Sequence, residues 1–297
     1  MVKLSDFFIN SIDDRDSDLH KFVRDDCDAR TFTNNLWERT SDYLDKDLQT
    51  NARSQFHNSF WEMYLVATLL EYDFPVVTRE NRRSTKKIGS PDVQVGNVIA
   101  WFEAITVSAG SNLDEVSELN PKSKVAKDVP QDKIKMRLTH AIQCKNKTHQ
   151  TYIRNEVVKE GEPFIIALNA SQIPHTLIEL SIPWIVKALF GIGHEVLQFD
   201  RNTKEVEDQY HNYQGFAKKE NGTQIPMNFF EEPDSRGISA ILYSTANVFA
   251  YRKLGSDFVV VHNPQATAPI RKGFLKVGTE YWVEEDQLFH QDHNKEL

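Results

Sequence analysis

The chain has 297 residues, of which 26% are charged and 40% hydrophobic, with a formal net charge of −8. That composition is ordinary for a globular protein and supplies core enough for one large domain or two modest ones. No apolar run reaches the length of a membrane span, Met1 to Asp14 lacks a signal-peptide core, and Cys27 and Cys144 form neither a CxxC pair nor a disulfide framework, so a cytoplasmic protein without a membrane partner is expected.

In chain order, residues 1–50 read as an acidic helical segment, with 12 acidic and 7 basic residues and apolar positions at Phe7, Phe8, Leu19, Phe22 and Val23. Residues 51–297 read as an α/β domain that is either separate from this segment or continuous with it. Gln55 to Tyr72 carries Phe56, Phe60, Met63, Tyr64, Ala67 and Leu70 at helical spacing, and Asp73-Phe74-Pro75 ends the helix. A basic loop over 79–90 leads into two β-rich runs, 90–95 and 98–107, separated by Gly96-Asn97. A two-residue loop there predicts Val95 facing Val98 and Asp92 opposite Trp101, with Glu103 diagonal to Asp92 at roughly 7–8 Å. The second run is apolar on both faces and reads as a central strand. Residues 110–129 form a polar loop, and Pro130 opens a helix reaching about Asn155. Strands are expected at 163–168, 237–243 and 258–262. Periodicity leaves 182–190 open between helix and strand, and 200–235 is polar, with a turn at Asn221-Gly222. The order specifies a mixed α/β fold, a central sheet flanked by helices.

Three side chains break the pattern around them. Glu103 sits in an apolar strand, where a carboxylate is costly unless it is paired or binds a metal. Glu62 belongs to a stripe with Leu65, Val66 and Leu69, and Lys145 extends the stripe of Leu138 and Ile142. Snorkelling or first-turn capping explains Glu62 taken alone, and snorkelling at the end of a stripe explains Lys145. Carboxylates grouped with Asp92 suit a hard cation, Mg²⁺ or Mn²⁺. The stretch from Arg79 to Lys147 has 13 basic and 8 acidic residues, so the basic excess surrounds the carboxylates. Arg79, Arg82, Arg83, Lys86, Lys87, Lys122 and Lys124 are the candidate phosphate contacts, and the bland alternative is a solvated charge run. His140 and His149 lack partners at metal-ligand spacing, whereas His262 is a candidate to approach the site. There is no GxSxG, P-loop or HExxH.

Glu62 on a helix, Pro91-Asp92, Glu103 in a strand and a lysine-bearing helix together resemble the PD-(D/E)xK nuclease superfamily over roughly residues 55–170. The resemblance implies a restriction-endonuclease-like core in which Asp92 and Glu103 bind the metal, the Ala104 carbonyl joins them and Glu62 assists. The motif lysine is expected two residues after the glutamate, where this chain has Ile105, and Lys145 is the displaced replacement. The function implied is a Mg²⁺- or Mn²⁺-dependent nuclease acting on DNA or RNA, with a homodimer left open. The alternatives are a catalytically silent module of the same fold binding nucleic acid or a protein, and a sugar hydrolase with Asp92 and Glu103 as acid and base and Trp61 and Trp101 stacking the substrate.

Overall fold

A computed structural model describes residues 6–8, 14–85, 87–96, 100–118, 122, 128–178, 181–249 and 253–296. Helices α1 (Asp18–Asp25), α2 (Cys27–Thr40) and α3 (Leu48–Ala52) form the acidic segment. Ser17 and Asp26 cap the first two, accepting from the backbone N–H groups of His20 and Ala29. Val23, Leu36 and Leu48 enter the same apolar core as helix α4 (Phe56–Glu71) and the sheet, and buried Arg53 donates from Nε to Asp16 Oδ1 at 2.6 Å. Helix α4 is apolar nearly all round and correspondingly buried. It ends before Asp73, whose φ of 60° turns the chain out of the helix into Phe74-Pro75.

Strand β1 (Val93–Val95) and strand β2 (Ala100–Ser108) follow, then helix α5 (Gln131–Arg154), strand β3 (Phe164–Gln172) and helix α6 (Trp184–Phe190). The open segment 182–190 thus resolves as helix over Trp184–Phe190. It ends at Gly191, φ 64°, where a Cβ would lie 2.8 Å from the Tyr213 ring. Two ribbons, β4 (Ile192–Phe199) with β5 (Val206–Tyr213) and β6 (Phe216–Lys218) with β7 (Gln224–Pro226), occupy the polar region. Strands β8 (Ala240–Ser244) and β9 (Val259–His262) then precede a closing hairpin, β10 (Thr279–Glu284) and β11 (Gln287–Asp292).

Among the described residues seven strands make one mixed sheet, ordered β1-β2-β3-β8-β9-β10-β11. The β2–β3, β3–β8 and β9–β10 pairs are parallel, and the other three are antiparallel. Alternation along β2 divides the core. Ala100, Phe102 and Ala104 face α4, and Trp101 and Val107 face α5 and α6. Among the described residues no helix is long and apolar enough to cross a membrane.

The register of the first hairpin corrects the two-residue loop. Val95 pairs with Ala100, Gln94 with Trp101 and Val93 with Phe102, so counting on places Asp92 opposite Glu103 instead of Trp101. Asn97 of the expected loop, and Val98 and Ile99 at the start of the expected second run, lie outside the described residues. Gly96, at φ 55°, begins the turn and donates its N–H to the Pro75 carbonyl.

Helix α5 also carries His149, buried against Phe164 with ring centroids 4.4 Å apart, and burial pushes its imidazole down to about 4. Its folded value lies below the unfolded one, so the stability tied to neutral His149 is fully present above about pH 6.5 and is lost as pH falls toward 4. The loss amounts to about 3 kcal/mol. Urea unfolding followed across that window should show it, and His149→Phe should flatten the dependence. An unchanged slope in the variant would contradict this assignment.

Candidate active site

The site exists because β1 is short. It pairs with β2 only as far as Phe102, so among the described residues no strand lies beside the edge of β2 from Glu103 to Thr106. Asp92, the residue just before β1, fills the first of those vacancies: its Oδ2 accepts the Ala104 N–H at 2.6 Å. In an extended strand the N–H and C=O of one residue leave by the same edge, so the Ala104 carbonyl also faces this side. Helix α4 contributes Glu62 and Asn58, and α5 contributes Lys145. With Trp61, Asp92, Ala104, Ile105 and Thr106 they line a cavity of about 240 Å³. Glu62, Asp92 and Lys145 therefore share one pocket, and Glu103 joins it through the lysine.

Lys145 Nζ donates to Glu103 Oε1 at 2.7 Å, and Tyr152 Oη donates to Glu103 Oε2 at 3.2 Å. The Tyr152 hydroxyl also lies 3.4 Å from the Ser90 carbonyl, which ties the approach to Asp92 to the same helix. Tyr152 escaped the sequence reading, although the signal was present: it lies seven residues beyond Lys145, as Lys145 lies seven beyond Leu138, on one face of α5. Thr106 Oγ1 donates to Asn58 Oδ1 and links the open edge to the start of α4. Trp61 Nε1 donates to the Ala167 carbonyl at 2.9 Å and fixes the helix turn that carries Glu62.

The electrostatics follow from three carboxylates gathered around one ammonium. Burial, then the charges of Asp92 and Asp45, hold Glu62 well above the usual carboxylate range. Burial also raises Asp92, offset in part by Lys145 and the Ala104 N–H. Burial and the Asp92 charge bring Glu103 to about 7, against the pull of Lys145 and Tyr152. Burial works to lower Lys145, but Glu103 and Asp92 outweigh it and the net shift is upward. The pocket is short of positive charge.

The donor set fits a hard divalent cation: carboxylate oxygens of Asp92 and Glu62, a strand-edge carbonyl, and the lone pairs Glu103 keeps beyond its two hydrogen bonds. Among the described residues no three His, Cys, Asp or Glu side chains form a ready-made metal cage. An ion here would draw most of its shell from water and substrate, as Mg²⁺ usually does.

The basic cluster serves a different purpose from the one its composition suggests. Arg82 is buried and donates to the Pro91 carbonyl at 2.9 Å and to the Tyr43 carbonyl, so it clamps the backbone that presents Asp92. Arg79 donates to the Leu44 carbonyl. Arg83 bonds the Val157 carbonyl and Glu162, and lies 5.1 Å over the Trp101 ring. Guanidinium groups held in this way are not free to track a phosphate backbone. Lys87 and Lys122 are exposed, while Lys86 and Lys124 lie outside the described residues. Trp61 and Trp101 are wholly buried, which removes them as sugar-stacking surfaces. His262 bonds Glu280 at 2.9 Å, three strands along the sheet from β2, and has no part in the pocket.

In comparisons with known proteins, no family model, curated protein or solved structure matches this chain. The functional reading therefore rests on the residues and their geometry. Arg82→Ala should cost about 2–4 kcal/mol in chemical denaturation, because the buried Pro91 carbonyl and the part-buried Tyr43 carbonyl lose their donor and Asp45 loses an ion-pair partner. A fully stable variant would return Arg82 to the surface role.

Proposed function

We propose that the chain is a metal-dependent nuclease hydrolysing phosphodiester bonds of DNA or RNA. The observation that carries this reading is the Lys145 ammonium, 2.7 Å from Glu103 and lining the same pocket as Asp92 and Glu62. It supplies from α5 the positive charge that Ile105 cannot supply from β2, and so supports the resemblance to the PD-(D/E)xK superfamily with its lysine displaced. Asp92, Glu62 and Glu103, with the Ala104 carbonyl, would hold Mg²⁺ or Mn²⁺. When bound, such an ion polarises the phosphate and lowers the pKa of a coordinated water.

The chain's own residues do the rest. Lys145, kept protonated by Glu103 and Asp92, meets a phosphate oxygen and neutralises charge that builds on it. Glu103, gripped by Lys145 and Tyr152, orients that ammonium and cannot swing away. Arg82 holds Asp92 in register from behind. Burial of the set limits competing water and strengthens each of these interactions.

The test is cleavage of plasmid, single-stranded DNA and RNA with Mn²⁺ or Mg²⁺, with chelation as the control. Asp92→Ala and Glu103→Ala should abolish turnover, and Lys145→Ala should lower kcat by about 10²–10³ with little change in KM. Activity that survives the two carboxylate substitutions would overturn the assignment. One observation favours a silent module instead: Ile105 lines the pocket at the motif's lysine position. Binding of nucleic acid without any metal-stimulated cleavage would select that reading.

A further inference from the structure

The carboxylate pocket is not closed at its α4 end. Asn58 lines both it and a neighbouring hollow of about 260 Å³, and His57 and Gln172 line both that hollow and a wider one of about 780 Å³. Shared lining residues place the three depressions side by side, in a row that a linear ligand could follow. It runs past the start of α4 and along the ends of β2 and β3, by Ser108, Ser171 and Gln172. Among the described residues that line it, Lys145 is the single cation, and the far end carries an acid, Glu118.

Hydrogen-bonding capacity is left over along this path. The His57 and Gln172 side chains are half-buried and have no hydrogen-bond or ion-pair partner among the described residues. Half-buried polar groups at the junctions of a groove are partners waiting for a ligand or water. Burial lowers the His57 imidazole, so at neutral pH it offers one donor and one acceptor and no charge. Helix α4 begins beside Asn58 with no acidic residue in its first turn, which leaves its positive dipole end uncompensated toward the groove.

We infer that the groove takes a single nucleic acid strand, with the scissile phosphate at Lys145 and unpaired bases and sugars against His57, Asn58 and Gln172. This rests on the nuclease reading above and narrows its substrate. A duplex presents two phosphate backbones and hides its pairing edges, and proteins hold it chiefly through many cations. A single strand exposes base edges and sugar oxygens that neutral amides and imidazole can bond. Among the described residues, a groove with one cation and a row of neutral donors and acceptors matches the second ligand.

The experiment compares kcat/KM for Mn²⁺-dependent cleavage of one short oligonucleotide, single-stranded and annealed to its complement, across a salt series. The single strand should be preferred at least about tenfold, with a log–log salt slope near −0.7 to −1.5. His57→Ala and Gln172→Ala should each lower kcat/KM on the single strand by about five- to tenfold, mainly through KM, with unchanged thermal midpoints. Gln172→Lys adds a cation to the wall and should raise kcat/KM and steepen the slope by about 0.7. Equal or better cleavage of the duplex, or a slope indifferent to Gln172→Lys, overturns the groove assignment and leaves the nuclease reading standing. Failure of folded wild-type protein to cleave either form overturns both.

Discussion

Three carboxylates gather around one ammonium where water has little access, and the surrounding structure is organised to tolerate this. Bringing Glu62, Asp92 and Glu103 together raises each of them through burial, and repulsion from Asp92 raises the two glutamates further. The Lys145–Glu103 bond is the main compensation, and removing one partner of such a pair typically costs several kcal/mol. Tyr152, the Ala104 N–H and Arg82 supply smaller offsets. A site built for stability alone would place apolar side chains here. Retaining the charges makes sense for a pocket that binds something positive, then something phosphorylated.

The sheet makes this arrangement possible by leaving an edge unpaired. An open strand edge in an apolar core is a liability, because its N–H and C=O groups need partners. Here the edge is covered by side chains. Asp92 takes one N–H, Thr106 reaches Asn58, and the remaining surface lines the cavity. The same opening continues into the neutral groove beside α4. The short β1 thus determines both where the carboxylates meet and where a strand of substrate would lie.

Much of this was legible in the sequence, in a graded way. Helices α4 and α5 announce themselves by apolar spacing, and Glu62 and Lys145 stand out as charges that interrupt those stripes. Asp92 and Glu103 were visible as acids in an apolar hairpin, but their register was displaced by two residues. Gly96-Asn97 resembles a complete turn, whereas pairing resumes only at Ala100. Arg79, Arg82 and Arg83 count as free basic residues in the composition, yet their guanidinium groups are held by backbone carbonyls, which no composition records. The β4–β5 ribbon is exposed on both faces and so lacks the apolar alternation that marks a half-buried strand. His57 and Gln172 carry no sequence signal at all, since their significance lies in having no partner.

The most direct measurement of the central claim is calorimetric titration of Mn²⁺ into the full chain and into Asp92→Asn, each shown to be folded. The wild-type protein should show a single saturable site at millimolar Mn²⁺ or below, lost in the variant. Equal binding by both proteins would place any metal elsewhere. No binding by the wild type would leave three crowded carboxylates with no cation to hold and would contradict the metal site.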